Sequence, residues 1–251
     1  MPRAVQPRSE ARYARGTPRA RAWDRRPSLG LPSIGTDTPT EPIVPDTLVR
    51  TDLVRTNLVA EWRAHWSRAM ENMLDSPHLP FVHRTTIGRA GARAMTEQSR
   101  MDISWEETPY GGKTVSTLDA TPSGAWLEFY KPNVMVLHIP IPGKTFRIHA
   151  IAVPVDASGV RMVITGARSF QKLSLLNPIF NRVNRVIAAQ DRPVVESQDP
   201  AEVPKPSRER SVHTDRATLQ FRKYYYDELR ASSASLPHPT SEQGPQRNTR
   251  V

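Results

Sequence analysis

The sequence predicts an α+β domain in which one antiparallel sheet curves around a long C-terminal helix. Three observations carry that expectation. Short apolar-rich runs alternate with turn signals from Met101 to Arg168, and helix-period segments lie on both sides of that stretch. The proline-rich, aperiodic ends set the domain limits, giving a leader over 1–46, a domain over 47–230 and a tail over 231–251.

Taken in order, residues up to about Pro45 are rich in proline, arginine and threonine and lack periodicity, which predicts a disordered segment. From Leu48 to Glu61 the run LVRTDLVRTNLVAE alternates loosely and suits a strand. Its two similar pieces, LVRTD and LVRTN, are far shorter than a solenoid period. Trp62 to Leu74 reads as a helix, with Trp66, Met70, Met73 and Leu74 on one face. Pro77 and Pro80 should stop regular helix there, and a second short helix begins near Thr85 or Thr86.

Six strands follow, over 101–105, 113–118, 125–130, 134–141, 145–155 and 160–165. Their separators include Pro109-Tyr110-Gly111-Gly112, Lys131-Pro132-Asn133 and Pro142-Gly143-Lys144. Such short links make consecutive strands antiparallel neighbours in a meander. Asn177-Pro178 is a helix start, after which Phe180, Val183, Ile187 and Val194 keep one apolar face. A proline-bearing linker is expected from Asp199 to Arg210. The last helix, about Thr214 to Arg230, sets Ala217, Phe221, Tyr225 and Leu229 on one side. A sheet gripping such a helix leaves an apolar cavity suited to hydrophobic ligands.

Composition excludes several classes of function. The chain has no cysteine, so disulfides, thiolate zinc sites, cysteine nucleophiles and an iron–sulfur cluster within this sequence are ruled out. No apolar run approaches the roughly 18 residues of a membrane span, and a soluble, cytoplasmic protein is expected. The net charge of +10 is concentrated at the start, where eight arginines stand against Glu10 and Asp24 before residue 27. No aromatic-interleaved basic face recurs in the body, so nucleic acid is not an expected partner. A targeting peptide is a second reading of the leader, although its prolines spoil an amphipathic helix.

The chemistry concentrates in Glu71 to His83, ENMLDSPHLPFVH. Two histidines five apart point roughly 140° from one another on an ideal helix. Pro80, between them, forbids that helix, so His78 can close the helical part while His83 folds back from the loop. Asp75, one turn before His78, can accept the ring N–H of a ligand histidine. Two imidazoles and one carboxylate make the facial set that suits Fe(II) and leaves positions open for dioxygen. Asp191 is the leading carboxylate, four residues after Ile187 on an apolar face where an unpaired charge is costly. Pro193 is expected to kink that helix toward the cavity. Glu196, Asp215 and Asp119 stand behind it. His138 and His149 read as strand histidines satisfied by neighbours. His65, His213 and His238 read as solvated, and Trp105, Trp126 and Phe129 read as core aromatics that could line the cavity.

The run ENMLDSPHLPFVHRTTIG resembles the iron-binding signature of the Rieske non-heme iron oxygenases, Asn-x-x-Asp-x-x-His-x-x-x-x-His. NPIFNRVNRVIAAQDRPVVESQDP resembles the same family's stretch carrying a ligand aspartate, and SVHTDRATLQFRKYYYDEL its closing helix. The resemblance is to the vanillate-demethylase-like and pheophorbide-oxygenase-like branch, over roughly Leu48 to Leu229. It implies a helix-grip catalytic domain (the Bet v 1-like and START-like architecture) with mononuclear Fe(II) on His78, His83 and Asp191. It further implies that Asp75 links His78 to a Rieske cluster and that Asn72 lies near the iron. Hydroxylation or O-demethylation of a hydrophobic aromatic or cyclic substrate by dioxygen would follow. Electrons would come from a Rieske domain, ferredoxin or reductase on another chain, and a homotrimer is the family's pattern. The family's Cys-x-His and Cys-x-x-His cluster motifs are absent, and Gln190 stands where an acid often precedes the ligand aspartate. Two rival readings are a truncated, catalytically incompetent family member and a helix-grip module that only binds hydrophobic ligands.

Overall fold

A computed structural model describes residues 43–231; the predicted leader up to residue 42, the tail from 232 and His238 lie outside the described residues. The chain enters through a single helical turn, α1 (Asp46–Val49), and then β1 (Val54–Trp62). The strand expected from Leu48 thus begins six residues later. LVRTD falls on a helix end and turn while LVRTN enters the strand, so the near-repeat is not a structural one.

The predicted helix from Trp62 is also displaced. Trp62 ends β1, and α2 (Trp66–Leu74) starts behind His65, whose Nδ1 accepts the Ser67 backbone N–H at 3.3 Å. His65 is therefore an N-cap rather than a solvated side chain. A 3-10 turn (Ser76–His78), a single turn α3 (Leu79–Val82) and α4 (Arg89–Ala94) follow. Prolines occupy the first turns of the 3-10 segment and of α3, where a missing N–H costs nothing.

The sheet strands are β2 (Met101–Thr108), β3 (Gly111–Leu118), β4 (Thr121–Tyr130), β5 (Val134–His138), β6 (Phe146–Pro154) and β7 (Val160–Arg168). They form the predicted antiparallel meander, and β1 closes its far edge against β7, giving the order β1-β7-β6-β5-β4-β3-β2. Leu127, Leu137, Ile148, Ala150 and Ile164 lie on one face, packed toward the helices. His138 and His149, one residue away from these, point to the other face.

Two helices complete the inner layer. α5 (Asn177–Glu196) runs through Pro193 without ending. Its buried stripe is Asn184, Ala188, Asp191 and Val195, so the predicted stripe is rotated: Val183 is exposed and Phe180 and Ile187 are half-buried. α6 (Arg216–Lys223) passes into a π-helical turn, Tyr224–Arg230. The expected face of Ala217, Phe221, Tyr225 and Leu229 is buried throughout. Trp66 meets Phe221 and Tyr225 edge to face there, the arrangement aromatic quadrupoles favour.

The stretch expected as a free linker is instead pinned to α2. Arg68 donates to the Pro200 carbonyl at 2.8 Å, and the fully buried Val203 gives its N–H to Ser67 Oγ at 3.2 Å. Glu71 pairs with both Arg68 and Arg222, so a buried ionic network locks α2 to α6. Removing one member of such a buried pair would leave an uncompensated charge, so the network ties the two helices together.

Candidate metal centre

The 3-10 turn and α3 solve the geometric problem posed by two histidines five residues apart. His78 closes the 3-10 turn, and His83, at the C-cap of α3, turns back toward it. Their ring centroids lie 5.1 Å apart, with planes at 65°. Gly88 makes the return possible. Its N–H bonds the His83 carbonyl at 3.0 Å, and a Cβ there would collide with the Leu79 carbonyl.

α5 supplies the third group. Asp191 Oδ1 stands 2.9 Å from His83 Nε2 and 3.5 Å from His78 Nε2, and accepts from Asn72 Nδ2 at 3.1 Å. One ligand atom from each of His78, His83 and Asp191 can be chosen so that all lie within 4.8 Å of one another. This is the one such group with metal-ligand spacing among the described residues. His83 and Asp191 are almost wholly buried, at 1% and 3% exposure.

The outer nitrogens are committed elsewhere, which leaves each Nε2 facing Asp191. His83 Nδ1 donates to Gln190 Oε1 at 2.9 Å, and Thr86 Oγ1 donates to the same oxygen at 2.9 Å. Gln190 in turn gives its Nε2–H to Thr85 Oγ1 at 3.1 Å. His78 Nδ1 donates to the backbone carbonyl of Asp75. The Asp75 carboxylate, expected to accept that proton, lies 3.8 Å from the ring nitrogen and stands beside the bond. Both imidazoles thus present Nε2 to the same carboxylate.

The charges follow from this packing. Burial opposes ionisation of Asp191, but hydrogen bonds and charge from His78 and His83 outweigh it and hold the carboxyl down to about 2. Burial likewise works against protonating His83, yet the Asp191 partner raises its pKa above the ordinary histidine value. Burial raises Asp75.

The other sequence-level acids have different work. Glu196 accepts the Arg63 N–H and Arg192, Asp215 accepts the Val212 N–H, and Asp119 accepts the Arg100 N–H and the Ser99 hydroxyl. His149 is satisfied at both nitrogens by Thr47 and Thr165, and His138 pairs with Glu128 at 2.8 Å. His213, exposed, bonds the Met101 carbonyl. Phe129 is core, whereas Trp126 stacks on His138 on the outer face of the sheet. Two residues of the site were not legible as such. Gln190 was visible only as a missing acid, and Asn184, in the cavity wall, was hidden by the misplaced helix stripe.

A cavity of about 50 Å³ lies against the three ligand residues, walled mainly by Met73, Leu127, Leu137, Ile148, Ile164 and Ile187. Beside it an outer chamber of about 150 Å³ shares Leu79, Ile87, Leu127 and Leu137 as walls.

A family model described as the vanillate O-demethylase oxygenase C-terminal domain matches residues 62–138 and again 127–230, well over half of the chain. The chain belongs to that family. It is a Rieske oxygenase catalytic domain with the helix-grip architecture. No curated protein sequence matches it. Among solved structures, this oxygenase domain is similar to Pseudomonas putida CBB5 NdmA, at 20% identity and a TM-score of 0.59 over 77% of this chain and 57% of that one. Dicamba monooxygenase bound to dicamba is similar at 15% identity and a TM-score of 0.57, over 76% and 63%. The terminal oxygenase of carbazole 1,9a-dioxygenase from Nocardioides aromaticivorans IC177 follows at 14% and 0.54, over 80% and 65%. At these identities the likeness is one of fold, and the chain spans less than two thirds of each of these structures. Among the described residues no helix is long and apolar enough to cross a membrane.

Proposed function

We propose that this domain holds a mononuclear ferrous ion on His78 Nε2, His83 Nε2 and the Asp191 carboxylate. With dioxygen it hydroxylates or O-demethylates a hydrophobic aromatic or cyclic substrate. The observation that carries the proposal is the convergence of two imidazoles and one buried carboxylate, each imidazole anchored through Nδ1, on the wall of an apolar cavity. That donor set, without thiolates and with both Nε2 atoms aimed inward, fits ferrous iron, which when bound would supply dioxygen activation at its open positions.

The chain's own residues supply orientation and exclusion. Gln190 and the Asp75 carbonyl hold the imidazoles in the Nδ1–H tautomer, the outer support on which metal affinity depends. Asn72 keeps Oδ1 of Asp191 turned toward the histidines. Met73, Leu127, Ile148 and Ile187 exclude water and favour an apolar substrate. Electrons come from a cluster outside this sequence, because a Rieske centre needs cysteine ligands and none is present. Asp75 is suited to carry them: it touches His78, lines the cavity, and also borders an open polar groove on the other side.

Anaerobic Fe(II) titration followed by hydrogen peroxide and a methoxyarene tests both halves. One iron per chain and formaldehyde or hydroxylated product are expected. Failure of the wild-type protein to take up iron would overturn the metal assignment. Uptake with no product from any aromatic would overturn the oxygenase role.

A further inference from the structure

The two imidazoles of the metal centre lean on different groups, and neither group carries a charge. His78 Nδ1 bonds the backbone carbonyl of Asp75, and His83 Nδ1 bonds the side-chain amide oxygen of Gln190 at 2.9 Å. With a metal on Nε2 the ring proton of each histidine sits on Nδ1, where it meets a neutral oxygen. The Asp75 carboxylate stands off at 3.8 Å from the His78 ring. Among the described residues Asp191 is then the one carboxylate in hydrogen-bond contact with either imidazole.

The Gln190 amide is itself held at both ends. Thr86 Oγ1 donates to its Oε1 at 2.9 Å, and its Nε2–H reaches Thr85 Oγ1 at 3.1 Å. Two consecutive threonines in the return from His83 to Gly88 thus turn the amide oxygen toward the ring. The charge on that acceptor governs how much electron density the imidazole lends to a metal. A carboxylate draws the Nδ1 proton toward itself and makes the ring a stronger donor, which stabilises ferric over ferrous iron. A neutral amide leaves the ring a weaker donor, and Thr86 weakens it further by sharing the same oxygen.

We infer that Gln190 is a positioning residue that biases the iron toward the ferrous state, the form that meets dioxygen. The inference rests on the proposed function, because it takes iron to sit on His83 Nε2. The couple concerned is the one-electron reduction of Fe(III) to Fe(II). The electron comes from the cluster on another chain, and no proton moves, since the amide cannot take one from Nδ1. A ferrous bias suits a domain supplied from outside, because the site keeps its reduced form between deliveries.

The test is a potentiometric titration of the full chain loaded anaerobically with Fe(II), with ferric ion read by electron paramagnetic resonance. Gln190→Glu should still take up one iron per chain. It should raise the ferric-to-ferrous affinity ratio by at least about 10-fold, which lowers the midpoint by about 59 mV for a one-electron couple. Thr86→Val removes the competing donor to Oε1 and should move the ratio the same way, by about 3-fold. Ala189→Glu puts the same charge on the exposed neighbouring residue, where solvent screens it, and should change the ratio by less than about 2-fold. A Gln190 that served only to pack α5 would leave every midpoint in place. An unchanged or raised midpoint in Gln190→Glu overturns the inference, and so does an equal shift in Ala189→Glu. Should Gln190→Glu fail to load iron, Thr86→Val decides alone, and an unmoved midpoint there overturns the inference. Wild-type protein that takes up no iron overturns the metal assignment and this inference together, whereas a loaded site with an unmoved midpoint overturns this inference alone.

Discussion

The domain carries two pairs of histidines, on opposite sides of its sheet. His78 and His83 sit on the turns after α2, each with Nδ1 spent on a carbonyl oxygen and Nε2 facing Asp191. His138 and His149 sit on β5 and β6, facing away from the cavity. His149 has both nitrogens occupied, and His138 faces Glu128 alone with Trp126 stacked on its ring. What separates a metal centre from a structural histidine is therefore neither burial nor a nearby acid. It is whether two imidazoles turn unspent nitrogens toward one carboxylate. A fully satisfied strand histidine such as His149 contributes to stability, and only while it stays neutral.

Removing a member of the first pair should have the largest effect. Asp191→Ala or His83→Ala should reduce Fe(II) uptake by 100-fold or more, measured by anaerobic titration, while His138→Ala leaves it unchanged. If His138→Ala lost iron equally, the distinction between the two pairs would collapse.

The second pair should be visible in pH-dependent stability. Burial pushes His149 down to about 4, so the unfolded chain binds a proton below about pH 6.5 that the folded chain refuses. Stability from this residue is fully present above pH 6.5 and is lost as pH falls toward 4, by about 3 kcal/mol in total. Urea unfolding at pH 7 and pH 4.5 should show most of that loss, and His149→Gln should remove it. His83 has the opposite sign, since its pKa is raised by Asp191. A subtler change tests the support around the first pair. Gln190→Leu leaves the His83 Nδ1–H without an acceptor and should weaken Fe(II) binding about 10-fold, read from the same titration. The smallest effect is expected at the exposed Arg161–Glu61 pair on the β1–β7 edge, where Glu61→Gln should change unfolding free energy by under about 1 kcal/mol.

Much of this was legible in the sequence, for physical reasons. The meander follows from period-two runs separated by short turns, and the fold-back of His83 follows from Pro80, which cannot sit inside a helix spanning both histidines. The carboxylate was legible because Asp191 would be stranded on a buried face without partners. The edges of elements were less so. β1 and α2 divide at His65 because the side chain caps Ser67, a choice that tertiary packing makes among several possible caps. The stripe on α5 was misplaced by the apolar Phe180 and Val183, since the buried positions include the polar Asn184 and Asp191, which hydropathy cannot distinguish from surface. Gln190 could not be read as a histidine partner because the contact spans 107 residues in sequence. The 199–210 segment looked like a linker by its prolines, yet carbonyl acceptors and one buried valine were enough to dock it.

The most direct test of the central claim is anomalous scattering at the iron edge from crystals loaded anaerobically with Fe(II). The account predicts one peak per chain, at bonding distance from His78 Nε2, His83 Nε2 and an Asp191 oxygen. A peak at Glu128 and His138, or none at all, would contradict it.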